Sequence, residues 1–528
     1  MLRFFILACS VLVSTHCANI LGLMGAPSPS HYQFNSAIMH ELGRRGHNVT
    51  VLSVDVPKQG ENIPPNVHYI HLENAYKNMY PNEPSRGVND LIGKQGLSGI
   101  KIFYEFLHRI GPEIYTSKGF HTLLSYPDDF KFDVVLYDYS KGPFLLGFLE
   151  KFNHPPLIGV TPFNNPPITS DLIGNPMFPG YIPHFVTSYD VNMKFIERIH
   201  NTLIYYYELI IRRFVLTPHF DKTFRKFYPK NTPYLGDLEK RAVLALVNTH
   251  TAVNFPEPLP PNIIEVGGLQ ITNPKPLPKD LDTFMNSSVN GVIYFSLGTN
   301  MKSTNLKEER IQLILDVMAQ LPQYNFLWKM DIDETKFEVS KNVLAKAFFP
   351  QRDIFAHSKL KVFVTHSGGL STQEAIWFGI PMIGMALFVD QPRNLHRSVI
   401  NGVAAEINYL TLSAESLKKT ILRVAEDNSF LENARKRSKL YRDQPKKPLD
   451  NAVWWVEYVI RNPNAPHLRS PALDLNFFVE HSLDVLLFLL TLTILLIIIL
   501  SKLISFCLSI SRGKYDRRLN LNRNKKKE

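Results

Sequence analysis

From residue 19 onward the apolar residues fall into short unbroken runs, separated by stretches in which they recur every three or four positions. Residues 20–24, 49–54 and 133–137 are runs of the first kind, rich in Ile, Leu and Val, and predict strands. Residues 33–45 carry the helical period and stop at Gly46. A second series follows, with strands predicted at 292–296, 325–330 and 361–365 and helices at 306–321 and 372–378. Strands alternating with helices imply parallel sheets covered on both faces. Between the two series, residues 256–278 contain seven prolines. Such a stretch is neither a helix nor a central strand and reads as a semi-rigid connection. The pattern predicts two α/β domains facing each other across a cleft, residues 19–255 and 285–462, joined by a Pro-rich linker over 256–284.

The two ends are patterned differently. Arg3 precedes an apolar run over residues 4–13 that gives way to small and polar residues ending at Cys17-Ala18, the layout of a secretory signal peptide over residues 1–18. Residues 485–500 are dominated by Leu, Ile and Val, and the apolar character resumes over 503–510. A transmembrane helix is therefore predicted within 483–510, after a membrane-proximal segment at 463–482. Residues 511–528 form a basic tail, and positive charge favours the cytoplasmic side, so the body is expected in the lumen. Lys525-Lys526-Lys527-Glu528 resembles the dilysine signal that returns type I membrane proteins to the endoplasmic reticulum. Asn48-Val49-Thr50 and Asn286-Ser287-Ser288 match the N-glycosylation pattern. Asn48 enters a predicted buried strand, which makes Asn286 the better acceptor.

Composition removes several function classes. With 528 residues, 45% hydrophobic and 20% charged, the chain can build a sizeable core and is not a disordered one. Its net charge of +11 is local: residues 502–528 hold nine Lys and Arg against Asp516 and Glu528, and Arg3 adds one, which leaves the body near +3. No nucleic-acid partner is expected. The three cysteines, Cys9, Cys17 and Cys507, are all peripheral. The body therefore has no disulfide framework, no cysteine nucleophile and no thiolate-ligated zinc.

In open α/β sheets ligands bind at the carboxyl ends of strands, where helix N-termini present N–H groups to anions. Two segments fit. Phe295-Ser296-Leu297-Gly298-Thr299 ends a predicted strand in a glycine that permits close backbone approach and a hydroxyl. Phe363-Val364-Thr365-His366-Ser367-Gly368-Gly369-Leu370-Ser371-Thr372-Gln373-Glu374 runs from a strand through two glycines into a helix. A phosphate there would meet N–H groups, a helix dipole and the His366 imidazole, with Glu374 one turn further on.

Phe348-Phe349-Pro350-Gln351, followed by Thr365-His366-Ser367-Gly368-Gly369, Glu374-Ala375, Gly379-Ile380-Pro381 and Asp390-Gln391, closely resembles the signature of the UDP-glycosyltransferases, which include the animal UDP-glucuronosyltransferases. His31, Asp138, the Val266-Gly267-Gly268 segment and both chain ends extend the resemblance over nearly the whole chain. It implies the GT-B fold, two Rossmann-like domains with UDP-sugar on the C-terminal one and acceptor on the N-terminal one. It also implies that a crossover helix, here 449–461, packs back across the domains.

By position, the resemblance assigns Phe348 to stacking on uracil, where the family usually has Trp, and puts Gln351 beside the nucleoside. Gly298, Thr299, His366, Gly368 and Ser371 would hold the diphosphate, Glu374 the ribose, and Asp390 with Gln391 the sugar. His31 would be the general base and Asp138 the group that orients it, which implies inverting transfer. No cofactor beyond the UDP-sugar co-substrate is implied. Asp331-Ile332-Asp333 looks like a manganese-binding Asp-x-Asp, but in the resembled family this loop is not a metal site, so no metal is expected.

Three departures bear on the sugar. Asn248 stands where the vertebrate glucuronosyl enzymes have an Arg associated with the glucuronate carboxylate, Leu370 replaces an Asn, and Ser367 replaces a Gly. These resemble the arthropod members, which favour UDP-glucose. Glucose is therefore expected over glucuronic acid, with a small lipophilic molecule as acceptor and the membrane engaged through one helix. Homo-oligomerisation stays open. The competing readings are a non-catalytic, membrane-anchored protein that binds UDP-sugar or a lipophile, and a lumenal structural or chaperone-like protein.

Overall fold

The computed structural model describes residues 17–77, 91–229, 231–299 and 306–524. Most of the signal-peptide segment and the Lys525–Glu528 motif lie outside these residues. The chain divides into two compact units, one ending at Arg469 and the other starting at Ser470.

The first unit contains two wholly parallel sheets. The strands of the first are β1 (Asn19–Met24), β2 (Asn48–Ser53), β3 (Val67–His71), β4 (Val134–Asp138), β5 (Leu157–Thr161), β6 (Ala242–Val247) and β7 (Ile263–Glu265). They lie in the order β3-β2-β1-β4-β5-β6-β7. The second sheet has β8 (Val292–Ser296), β9 (Asn325–Lys329), β10 (Val343–Lys346), β11 (Leu360–Thr365), β12 (Met382–Gly384) and β13 (Ala404–Glu406), in the order β10-β9-β8-β11-β12-β13.

Burial of both faces explains why the central strands are almost wholly apolar. In the first sheet Leu21, Leu23, Val135 and Tyr137 pack into one core cluster, while Ile20, Val49, Val134 and Leu136 pack into another on the opposite face. The second sheet divides in the same way, with Phe295, Trp328 and Val364 on one side and Tyr294, Leu327 and Phe363 on the other. Successive side chains of a strand point to opposite faces, so a run with no polar position needs cover on both.

Two local expectations change. Part of the Pro-rich stretch expected as a connection is β7, the edge strand of the first sheet. The seven prolines all fall outside its three residues, and an edge position leaves one side of the ladder unpaired. Asn48 opens β2 as an exposed residue, and Asn286 is exposed too, because in β2 the residues that reach the core come after Asn48. Both glycosylation patterns are therefore accessible in the fold.

The helix Pro448–Arg461 returns to the first sheet. Ala452, Val453, Val456 and Val459 join its core, Arg45 Nη2 donates to Asp450 at 2.9 Å, and Asn451 donates to the Glu265 carbonyl. In the second unit the helix Leu483–Asn524 contains an apolar stretch of mean hydropathy 3.0, the one candidate membrane span among the described residues.

Candidate active site

In each sheet the strand order reverses direction at one place, between β1 and β4 in the first and between β8 and β11 in the second. Connections from neighbouring strands leave toward opposite sides there, which opens a crevice at the strand ends. His31 follows β1 and Asp138 ends β4; Gly298 follows β8 and His366 follows β11. Both predicted pairs thus stand at a switch point.

His31 lies in the first turn of the helix Pro29–Arg44, whose start suits the sequence: Ser28 is extended and Pro29 takes the first position, where no N–H is needed. Its Nδ1 meets Asp138 Oδ2 at 2.8 Å. Asp138 also accepts from Asn35 Nδ2 at 2.9 Å and from the Ser140 backbone N–H at 3.0 Å. Burial opposes ionisation of Asp138, but the His31 ring and the bonds from His31, Ser140 and Asn35 outweigh it and hold the carboxyl below its usual range. Phe163 presents a ring in edge contact with His31. With Nδ1 engaged, Nε2 is the nitrogen left for chemistry, and His31 borders a large cavity.

His366 is gripped by glycines. A Cβ on Gly298 would lie 2.6 Å from its ring, and one on Gly368 2.4 Å. Gly298 also has φ +84°, open to glycine at little cost. The ring keeps some access to the cavity but is otherwise enclosed, and burial together with Lys329 lowers its pKa to about 4. The imidazole is therefore neutral at physiological pH, and its Nδ1 has no protein partner. It offers an anion an N–H dipole rather than a charge. Ser367, beside it, sits at φ +62°, which explains why a glycine suits this position; a serine there costs roughly 1–2 kcal/mol.

Every predicted site residue except Asp138 borders one cavity of about 1250 Å³ between the two sheets: His31 from the first, and Gly298, Thr299, Phe348, Gln351, His366, Gly368, Ser371, Glu374, Asp390 and Gln391 from the second. Asp138 is buried directly behind His31. Gln351 Nε2 donates to Glu374 Oε2 at 2.6 Å and approaches Ser371 Oγ at 3.4 Å. Glu374 Oε1 is buried with no protein partner, an acceptor awaiting a donor, and burial raises the carboxyl's pKa. Gln391 Oε1 accepts from the Leu387 and Phe388 N–H groups, which leaves its amide nitrogen as the donor. Asp390 accepts from Asn394 at 2.7 Å. The Phe348 ring is 68% exposed, with Lys58 from the opposite wall over it.

The structure corrects the weight placed on Asn248. It is fully buried and does not border the cavity: its amide donates to the Pro162 carbonyl at 2.8 Å and accepts from Gly268 N–H. It ties strand ends together directly behind Pro162 and Phe163, which do border the cavity, and its amide is spent on those bonds. Asp331 borders the cavity, whereas Asp333 is occupied by the Thr335 N–H and hydroxyl. No group of three or more His, Cys, Asp or Glu suited to a metal occurs among the described residues. The aromatic residues Phe103, Tyr104, Phe106 and Tyr205 are core. Sequence reading missed Asn35, one helical turn after His31, and Lys329, the last residue of β9. Both carried a signal, since each lies at a strand end or on the face that bears a predicted site residue.

The profile of the family described as "UDP-glucoronosyl and UDP-glucosyl transferase" matches residues 23–518. The chain belongs to the UDP-glycosyltransferase family. UDP-glucosyltransferase 2 of Dactylopius coccus is 33% identical over 505 residues, covering 92% of this chain and 93% of that one. UDP-glucuronosyltransferase 2B7 of Homo sapiens is 32% identical over 512 residues, covering 94% of each. Among solved structures, the calicheamicin glycosyltransferase CalG4 superposes with a TM-score of 0.55 at 16% identity, over 85% of this chain and all of that one. This UDP-glycosyltransferase accordingly has the GT-B fold, two Rossmann-like sheets, with a C-terminal apolar helix that fits membrane anchoring.

Proposed function

We propose that this UDP-glycosyltransferase transfers a hexose, glucose in preference to glucuronic acid, from its UDP-sugar to a hydroxyl or similar nucleophile of a small lipophilic acceptor, with inversion and without a metal. His31 takes the acceptor proton at Nε2, Asp138 fixes the tautomer and stabilises the imidazolium, and the acceptor oxygen attacks the anomeric carbon as UDP leaves. The observation that carries this reading is the His31–Asp138 pair, 2.8 Å apart, with His31 bordering the same cavity as the glycine-gripped His366.

Donor placement is supported by the neighbouring groups. Phe348 has an exposed ring for uracil, with Gln351 bordering the same cavity; Glu374 has an unpartnered oxygen for a ribose hydroxyl; and Gly298 and Gly368 flank His366, with Thr299 and Ser371 bordering the same cavity, for the diphosphate. Asp390 and Gln391 suit sugar hydroxyls. The preference for glucose is supported by Ser367 and Leu370, which resemble the arthropod members, and by the likeness to the UDP-glucosyltransferase 2 of Dactylopius coccus. His31→Ala should lower turnover roughly 10²–10⁴-fold with UDP affinity unchanged. Unchanged turnover would overturn the base assignment, absence of UDP release from the unmodified protein that still binds UDP-glucose would favour the non-catalytic binding protein, and UDP-glucose compared with UDP-glucuronate in the same assay decides the donor.

A division into two domains, the first carried past residue 255 to include β7 and the second over 285–462, and residence as a single-pass protein of the endoplasmic reticulum membrane with a lumenal body, belong to the same proposal. The apolar helix followed by the basic tail supports the topology. Protection of the body, but not the tail, from protease in sealed microsomes is the expected result.

A further inference from the structure

A departing UDP carries one more negative charge than the UDP-sugar it came from. His366 is neutral, so it cannot offset that charge, and no cluster of ligands for a divalent cation is found among the described residues. Helix dipoles supply only about half a charge. Lys329 closes β9, the strand beside β8, and borders the cavity. Its Nζ donates to the Gly298 carbonyl at 3.2 Å, on the same residue whose missing side chain admits the His366 ring.

Among the described residues Lys329 forms no ion pair, so one backbone carbonyl is the ammonium group's assigned partner and two of its donors remain for a ligand. Its charge is held there at a cost: burial and the like charge of Lys58 on the opposite wall both disfavour the protonated form, with Glu374 opposing them. Lys58 in turn reaches over Phe348 rather than to an acid. Two cations converging on one cavity from opposite walls are in conflict until an anion lies between them.

We propose that Lys329 is the resident cation of the diphosphate subsite, the group that offsets the charge arriving at the leaving phosphate. The proposal rests on the donor placement above. In the step, the bond from the anomeric carbon to the β-phosphate oxygen breaks and its electron pair stays on that oxygen. The acceptor oxygen forms the new bond to carbon, and its proton passes to His31 Nε2. Lys329 remains protonated throughout and acts on the leaving group alone.

The test uses the full-length protein with Lys329→Met and Lys329→Arg, measuring inhibition by UDP and by uridine together with turnover of UDP-glucose. Lys329→Met should weaken UDP roughly 10- to 100-fold, the loss expected for a charge-assisted bond, while uridine changes less than about threefold. Turnover should fall as well, and Lys329→Arg should recover most of both. A UDP-to-uridine affinity ratio unchanged in Lys329→Met overturns the proposal, and so does a parallel loss of uridine, which marks a structural role. Failure of the unmodified protein to bind UDP at all would instead defeat the donor placement beneath it, and that result is read before any variant is made.

Discussion

Replacing Asp138 by Asn changes one atom and almost no volume, yet the hydrogen bonds around it leave the amide no good orientation. The carboxylate accepts from three donors, His31 Nδ1, Asn35 Nδ2 and the Ser140 N–H. If the amide oxygen stays with Ser140, its NH₂ faces His31, whose Nδ1 must become an acceptor; the ring proton then moves to Nε2, the nitrogen needed as base. If the amide flips, its NH₂ opposes the Ser140 N–H, and an unmet buried donor costs about 1–3 kcal/mol. Either way the buried anion that would stabilise the imidazolium is gone. Turnover of UDP-glucose should fall roughly 10²–10⁴-fold, about 3–5 kcal/mol in the barrier. UDP affinity, measured by calorimetry, should stay the same because the donor groups come from the other sheet. Acid stability gives a second readout. The folded-state pKa of Asp138 is lowered, so its contribution is complete above the unfolded value near 4 and is lost as pH falls through the folded one. The Asn variant should lack that component of acid destabilisation. Turnover within about threefold of the unmodified enzyme would refute the base assignment, because no arrangement of the amide preserves it.

Two further outcomes follow from His366 and its cradle. Its pKa of about 4 lies below the unfolded value near 6.5, so between those pH values the unfolded chain binds a proton that the native ring refuses. Native stability should fall with pH across that window by up to roughly 3 kcal/mol, and denaturation curves of His366→Gln should lack this slope. Gly298→Ala puts a methyl group 2.6 Å from that ring at φ +84°. UDP affinity should drop at least about tenfold, with a stability loss of roughly 1–3 kcal/mol. Full UDP affinity in that variant would show that the ring does not line the diphosphate subsite.

The alternation of strand and helix, and with it the parallel-sheet class, could be read from residues 19–406 because strands buried on both faces must be apolar throughout. Motif spacing likewise pointed to His366, Glu374 and Asp390-Gln391, since they belong to one strand, turn and helix series where sequence distance and spatial distance run together. Strand order could not be read this way: nothing in β1 or β4 states that they pair, yet that pairing brings His31 within 2.8 Å of an aspartate 107 positions away. Asn248 shows the converse, a residue at the expected position whose side chain the fold spends on the Pro162 carbonyl and the Gly268 N–H. The charge state of His366 also belongs to the tertiary structure, because a lowered pKa needs the burial and the Lys329 that only packing supplies. Local sequence determined which elements form and which chemical groups stand at their ends. The order in which strands pair decided which of those groups meet, because pairing is settled by the burial of whole faces rather than by any single residue.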